Sequence, residues 1–315
     1  MRVTVVGCGR WGSFLAWYAD KLGHQVSLYG RDGSRHMEAF RRTRTNGLVT
    51  LPERVTLTAR LPEDAEVYVI SIGSQGLRAL LAQHAQTFRG KPLVLCMKGL
   101  EIGTGKRLSV IAAEVLGAEQ PVGVWIGPGH VQEFTRGVPN CMVIDSQDET
   151  LKNDLIDMFA GDLIRFYYGR DLIGNEVGAA AKNVVGIAAG ALDGVHLGTL
   201  KGALMSRGTR EVARLINALG GNELSAYGLC HLGDYEATIF SPYSHNRRFG
   251  ECVVTGEPYD ELAEGYYTVK ALLDLEAQTG VELPISRAVY QVLYEKADAR
   301  EAVDKLFRRS LKMEF

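Results

Sequence analysis

The hydrophobic rhythm of the chain changes about half-way along. Up to about residue 145, short β-rich apolar runs alternate with segments of helical apolar spacing. The runs at 3–6, 25–29, 67–72, 92–97, 122–126 and 141–145 read as strands, and 13–22, 75–86 and 106–116 as helices. That alternation predicts an α/β fold, a doubly wound parallel sheet with helices on both faces. Beyond about residue 170 the β-rich runs cease. Helical spacing takes over at 175–191, 201–219, 261–279, 285–296 and 299–306. The stretch 240–259 is rich in turn formers and reads as the main irregular segment. Two domains are expected, an α/β domain at 1–169 and a mainly α-helical one at 170–315.

The first strand runs directly into Gly7-Cys8-Gly9-Arg10-Trp11-Gly12, and an apolar helix pattern follows. In that context G-x-G-x-x-G points to a dinucleotide. Gly7 allows the tight turn, Gly9 lets the backbone approach a pyrophosphate, and Gly12 lets helix and strand pack closely. The helix start offers unpaired N–H groups to the anion. The second strand ends Tyr29-Gly30-Arg31-Asp32, without the acid expected directly at its end for an NAD-specific site. Arg31 can pair with a 2′-phosphate or stack on adenine, or it is a solvated loop residue. The cofactor is therefore expected to be NAD or NADP, with NADP at least tolerated. In such sheets, clefts form at the carboxyl ends of strands, which directs attention to Gly30-Arg31, Gly73-Ser74-Gln75, Lys98-Gly99 and Gly127-Pro128.

Composition narrows the partners. The 315 residues carry a net charge of -2, are 46% hydrophobic and 23% charged, and include five cysteines without a C-x-x-C pair. Nothing in that balance asks for nucleic acid or an anionic membrane surface. The odd, scattered cysteines read as reduced thiols in a cytoplasmic protein. No signal-peptide layout is present at the N-terminus, and no metal-ligand spacing is evident among the seven histidines.

In the helical half, Gly174, Gly178, Gly186, Gly190, Gly194 and Gly198 recur at intervals of four or eight, and Lys182 fills the gap. Four-residue spacing puts them near one helix face, as close helix packing requires. Lys182, Asn183 and Asp193 interrupt the apolar run and argue against a membrane helix. Lys182 either snorkels to solvent or is partly desolvated with a tuned pKa; spacing leaves both open.

Taken together, these blocks resemble the NAD(P)-dependent sn-glycerol-3-phosphate dehydrogenase family over most of the chain. The likeness includes GCGRWG, YGR, GSQGLR, MKGLE at 97–101, GPGHVQEFTRGVP at 127–139, GLCHLGD at 228–234, NRRFG at 246–250 and AEG at 263–265. Its densest part is AAKNVVGIAAGALDGVHLG at 180–198. The resemblance implies a Rossmann domain, a helical substrate domain and reversible reduction of dihydroxyacetone phosphate to sn-glycerol 3-phosphate for phospholipid synthesis. It implies catalytic roles for Lys182, Asn183 and Asp234, with the lysine stabilising and protonating the substrate oxygen. It also implies substrate contacts from Lys98, Gly127, Thr238, Ser244, His245 and Asn246, and cofactor contacts from Gly7, Gly9, Arg10, Trp11, Gly12, Arg31, Lys98 and Glu264. No metal is implied. A homodimer is common in the family.

Several positions depart from the family pattern. His245 stands where an arginine usually precedes the asparagine, Gly129-His130 replaces a serine-phenylalanine, and Ala180, Gly186 and Leu200 replace usual glycine, alanine and asparagine. A neutral imidazole lacks the two-pronged guanidinium grip on phosphate, for which Arg247 or Arg248 is the available substitute. The alternatives are a divergent dehydrogenase acting on another small, phosphorylated ketone, and an NAD(P)H-binding protein without turnover. Ketopantoate reductases and β-hydroxyacid dehydrogenases share the general architecture but fit the 127–139 and 180–198 blocks less well.

Overall fold

A computed structural model describes residues 1–310 and Met313. The chain divides into two compact units, 1–98 with 107–176 and 99–106 with 177–315. The first unit holds β1 (Arg2–Val6), α1 (Arg10–Lys21), β2 (Gln25–Tyr29), α2 (Arg35–Thr43), β3 (Thr56–Thr58), β4 (Val67–Ile70), α3 (Leu77–Gln83), α4 (Ala85–Phe88) and β5 (Leu93–Leu95). It continues with α5 (Leu108–Leu116), β6 (Val122–Ile126), α6 (Val131–Phe134), β7 (Asn140–Ser146), α7 (Glu149–Phe159), β8 (Ile164–Tyr168) and the first turn of α8 (Leu172–Gly194). The second unit holds the rest of α8, then α9 (Lys201–Ala218), α10 (His245–Thr255), α11 (Glu264–Thr279), α12 (Pro284–Tyr294) and α13 (Ala299–Phe307).

The eight strands form one sheet in the order β3-β2-β1-β4-β5-β6-β7-β8, the Rossmann arrangement that the alternating runs predict. The order reverses between β1 and β4, and this switch point is where such sheets hold ligands. The expectation of an all-parallel sheet needs correction: β7 runs antiparallel to β6, and β8 runs parallel to β7. The connection 127–139 contains only the short α6 and returns along the neighbouring strand. A parallel pair would need a longer crossover.

Aromatic rings fill the core of the first unit. Trp125, 1% exposed, meets Phe159 and Phe166 at ring separations of 5.1 and 5.0 Å. Phe14 stacks on Phe134 at 4.9 Å. The buried Tyr18 hydroxyl donates to the Phe159 carbonyl at 2.9 Å, which avoids the penalty of an unpaired polar group.

Two buried carboxylates organise the end of this unit. Asp145 accepts from the Asn175 amide at 2.7 Å and lies 3.7 Å from the buried Lys152 ammonium. Glu176 accepts from Ser109 and pairs with Arg107 at 2.7 Å. Residues 170–176 consequently cluster with the sheet, one or two turns beyond a cut at 169/170. Segment 99–106 clusters with the helices, where the Gly103 N–H donates to Asp274 on α11.

The helical half contains more order than its sequence pattern predicts. The stretch 240–259 is not wholly irregular, since it carries α10. Ser244 caps that helix by accepting from the Arg247 N–H, and Gly256 ends it in the left-handed region at φ 77°. The polar first turn, His245-Asn246-Arg247-Arg248, has no apolar period to announce it. Gly198 lies past the end of α8, in a short 3-10 turn, so the glycine face stops at Gly194. Its purpose is close approach: a Cβ on Gly190 would sit 1.8 Å from the Arg247 carbonyl oxygen, and one on Gly250 would sit 2.0 Å from that of Ile187. The backbones of α8 and α10 are therefore in contact.

Opposite signs are expected for two glycine substitutions. Gly190→Ala forces α8 and α10 apart and is expected to cost about 3 kcal/mol. Gly202→Ala, where an added Cβ meets nothing within 4 Å, is expected to add about 0.5–1 kcal/mol through helix propensity. Thermal or denaturant melts check both signs.

Candidate active site

The glycine loop lies at the switch point of the sheet. Gly7 has φ +114°, and a Cβ there would meet the Ser71 carbonyl oxygen at 2.1 Å. The Ser71 N–H in turn donates to Val6 at 2.8 Å, so the ends of β1 and β4 meet at Gly7. A Cβ on Gly12 would lie 1.9 Å from the Gly7 carbonyl oxygen. Gly9 differs from both. It precedes α1 in extended conformation, and a Cβ on it would face open space. Helix α1 has no capping side chain and no acidic residue in its first turn. Open space before an uncapped helix N-terminus fits the pyrophosphate of a dinucleotide. Trp11 is held by Phe14 and Phe134, at 5.1 and 6.1 Å. Arg10 is partly exposed beside it, and Arg31 and Asp32 are exposed past β2. Lys98, following β5, donates its ammonium to the Gly127 carbonyl at 2.5 Å and so links the ends of β5 and β6.

In the helical unit, Lys182 projects from α8 and is 7% exposed. Its ammonium lies 2.6 Å from the Asp234 carboxylate and donates to the Thr238 hydroxyl at 2.8 Å. Asp234 closes a short 3-10 turn, and Thr238 sits on the π turn Glu236–Phe240 that follows. Asp234 and Thr238 are 1% and 2% exposed. This burial removes the water that would weaken the ion pair. The snorkelling alternative for Lys182 is thereby excluded.

Asn183, the next residue of α8, accepts from the Asn246 amide at 3.0 Å, and Asn246 accepts from the Gly265 N–H at 2.9 Å. This series joins α8, α10 and α11 and places Glu264 at the first position of α11. Ser244 is committed to capping α10. His245 Nδ1 lies 2.6 Å from the Tyr259 hydroxyl. Arg247 is engaged by Asp193 and Glu251 at 2.8 and 3.2 Å, while Arg248 is exposed. Arg247 is therefore a structural cation, tied down away from the substitute role open to it in the sequence.

Sequence reasoning missed the buried pair His231 and Tyr235. His231 is fully buried, with Nδ1 2.8 Å from the Gly178 carbonyl oxygen and Nε2 2.7 Å from the Tyr235 hydroxyl. A carbonyl only accepts, so the proton sits on Nδ1 and Nε2 accepts from the tyrosine. Burial pushes this imidazole down to about 4, and Lys182 adds to the effect. The pair fastens the turn carrying Asp234 to α8. A histidine within GLCHLGD carries no signal of this, because its partners lie on another helix and one turn ahead.

Comparisons with known proteins agree with this geometry. The NAD-dependent glycerol-3-phosphate dehydrogenase N-terminus model matches residues 2–152, and the C-terminus model of the same family matches 171–304. The chain belongs to the NAD-dependent glycerol-3-phosphate dehydrogenase family. Among its curated relatives, a glycerol-3-phosphate dehydrogenase (NAD(P)+) of Thiobacillus denitrificans is 37% identical, with all of both chains covered. One of Pelodictyon phaeoclathratiforme is 35% identical over 100% of this chain and 99% of its own. The crystal structure of glycerol-3-phosphate dehydrogenase from Coxiella burnetii superposes with a TM-score of 0.91 at 28% identity, covering 98% of this chain and 99% of that one. As a member of the family, the chain is an NAD(P)-dependent oxidoreductase. Among the described residues, no group of three or more His, Cys, Asp or Glu side chains could hold a metal, and no helix is long and apolar enough to cross a membrane.

The buried histidine makes stability depend on pH. Its folded pKa lies below the usual 6.5, so the fold prefers the neutral form. Its contribution is complete above about pH 6.5 and is lost as pH falls towards 4. From pH 7 to pH 5 this costs about 2 kcal/mol. Denaturant melts at the two pH values should show the drop, and His231→Asn should remove that part of it.

Proposed function

We propose that this enzyme interconverts dihydroxyacetone phosphate and sn-glycerol 3-phosphate, with Lys182 as the acid–base group and reduction as its working direction. The observation carrying this reading is the buried ammonium of Lys182, held by Asp234 and Thr238. When bound, the nicotinamide supplies or accepts the hydride at the second carbon of the substrate. Reduction builds negative charge on the ketone oxygen. Lys182 stabilises that oxygen and gives it a proton, and in the reverse direction it takes the proton back. Asp234 keeps the ammonium charged and aimed, and Thr238 fixes its second direction. Asn183, oriented through Asn246, presents its amide beside the lysine to the substrate hydroxyls.

The remaining assignments complete the proposed site. Gly7, Gly9 and Gly12 with the start of α1 hold the pyrophosphate, and Arg10 and Trp11 flank it. Arg31 takes the adenosine end and admits a 2′-phosphate, which supports use of NADP beside NAD. Lys98 and Gly127 are assigned to substrate contact, and Glu264 is assigned to the cofactor. The substrate phosphate is assigned to the start of α10, around Ser244, His245 and Asn246. With Arg247 engaged by Asp193, His245 and the exposed Arg248 are the cation-capable groups left there, so phosphate affinity rests on an imidazole and one arginine. Residues 1–169 serve in this reading as the dinucleotide domain and 170–315 as the substrate domain. The five free thiols suit a reducing compartment, and we assign the enzyme to the cytoplasm, as a homodimer feeding glycerophospholipid synthesis.

The direct test follows oxidation of NADH and NADPH with dihydroxyacetone phosphate and with dihydroxyacetone. Turnover is expected only with the phosphorylated ketone and with both cofactors. Lys182→Ala should lower kcat about 10³-fold while cofactor affinity, read by fluorescence titration, stays within about twofold of the parent. Equal turnover with the unphosphorylated ketone, or an active Lys182→Ala enzyme, would refute the reading.

A further inference from the structure

Gly178 meets a different partner from the glycines of α8 that touch α10. A Cβ on it would lie 3.2 Å from the His231 Cβ and 3.2 Å from the Cys230 sulfur. The missing side chain is what admits the segment leading to Asp234. His231 uses the room, and its Nδ1–H donates to the Gly178 carbonyl at 2.8 Å. In an α-helix that carbonyl also accepts from the N–H four residues on, which here belongs to Lys182. The imidazole therefore grips α8 at the backbone bond that closes the turn carrying the lysine.

The backbone of the same residue holds the carboxylate's turn. The Asp234 N–H donates to the His231 carbonyl at 3.0 Å, and the Gly233 N–H donates to that of Gly228 at 2.9 Å. One residue thus fixes the backbone beside Lys182 with its ring and the backbone of Asp234 with its carbonyl. The ion pair it spans is 2.6 Å long.

Tyr235 decides which nitrogen of the ring carries the proton. Its hydroxyl, on a residue 1% exposed, donates to Nε2 at 2.7 Å, and the two rings meet at 4.9 Å. Helix α9 backs this hydroxyl. The Thr209 hydroxyl lies 3.5 Å from it, and a Cβ on Gly208 would lie 3.4 Å away. The other tautomer would turn a lone pair of Nδ1 on the Gly178 carbonyl, where both atoms only accept. A tyrosine proton on Nε2 excludes that arrangement.

We propose that His231 and Tyr235 are positioning residues of the reaction: the ring sets the distance and direction of the Asp234 carboxylate towards the Lys182 ammonium, and the tyrosine hydroxyl holds the ring in the tautomer that does so. The inference rests on Lys182 being the acid–base group. His231 is fully buried, so it acts through the ion pair and not on the substrate. A lysine stem is flexible and its ammonium has no fixed direction of its own. Misplacing a catalytic group by about 1 Å costs up to about 10²-fold in rate. The strut therefore governs the chemical step and leaves binding of ketone and cofactor alone.

The test compares variants of the full-length enzyme in kcat, KM for dihydroxyacetone phosphate and NADH affinity. His231→Leu removes both ring bonds and should lower kcat at least about tenfold, with KM and NADH affinity within about twofold of the parent. His231→Asn keeps an amide N–H in the place of Nδ1–H and should bring kcat back to within about threefold of the parent. Tyr235→Phe should lower kcat about threefold or more, and the imidazole 15N spectrum should lose its pure Nδ1–H signature. A folded His231→Leu with kcat within about twofold of the parent, equal losses in the Leu and Asn variants, or a change confined to KM would overturn the proposal. Where His231→Leu does not fold, Tyr235→Phe decides: an unaltered kcat in that variant would overturn the proposal. An active Lys182→Ala enzyme would remove the proposed reaction itself. An inactive Lys182→Ala beside a fully active His231→Leu would overturn this inference alone.

Discussion

The second unit is organised around one ion pair, Lys182 with Asp234 at 2.6 Å, sealed from solvent. A buried pair recovers its desolvation cost only with good geometry and additional hydrogen bonds. Both conditions are met by particular residues. Thr238 accepts from the ammonium. The turn that carries Asp234 is fastened to α8 by His231, whose ring is held between the Gly178 carbonyl and the Tyr235 hydroxyl. A π turn is seldom used without local reason; here it brings Thr238 onto the same ammonium as Asp234. Small residues on α8 let α10 approach until backbones touch, and this contact sets Asn246 against Asn183.

In the proposed reading, each unit supplies different chemistry. The sheet unit supplies a helix N-terminus, a positive-φ glycine at the switch point and open space at Gly9, the parts an anion needs. The helical unit supplies a buried, ion-paired ammonium. Neither part is unusual alone, since glycine loops and buried ion pairs occur for structural reasons. Their occurrence in one chain, in family order, separates an oxidoreductase from a protein that only holds a nucleotide.

Legibility in the sequence followed the physical range of each interaction. The Rossmann pattern could be read because strand runs and the glycine loop are local. So could Lys182, because a cation within an apolar helix is conspicuous. Helix α10 was hidden, since its first turn is polar and its stability comes from the Ser244 cap and from packing on α8. Strand β3 is only three residues long, β8 is a run of β formers at the margin of the alternating half, and the reversal at β7 depends on a connection whose path no periodicity encodes. Arg247 and His231 are held by partners far along the chain, Asp193 for one and Gly178 for the other, which no local pattern reveals. The family resemblance supplied the role proposed for Asp234, which a lone carboxylate in a turn does not announce.

The most direct measurement of the central claim is a double-mutant cycle on turnover with Lys182→Ala, Asp234→Asn and the pair together. If the carboxylate acts through the ammonium, the losses overlap: the double variant should be no slower than the slower single variant, within about twofold. Losses that multiply would mean that Asp234 and Lys182 act independently, and the account of a single buried acid–base unit would be wrong.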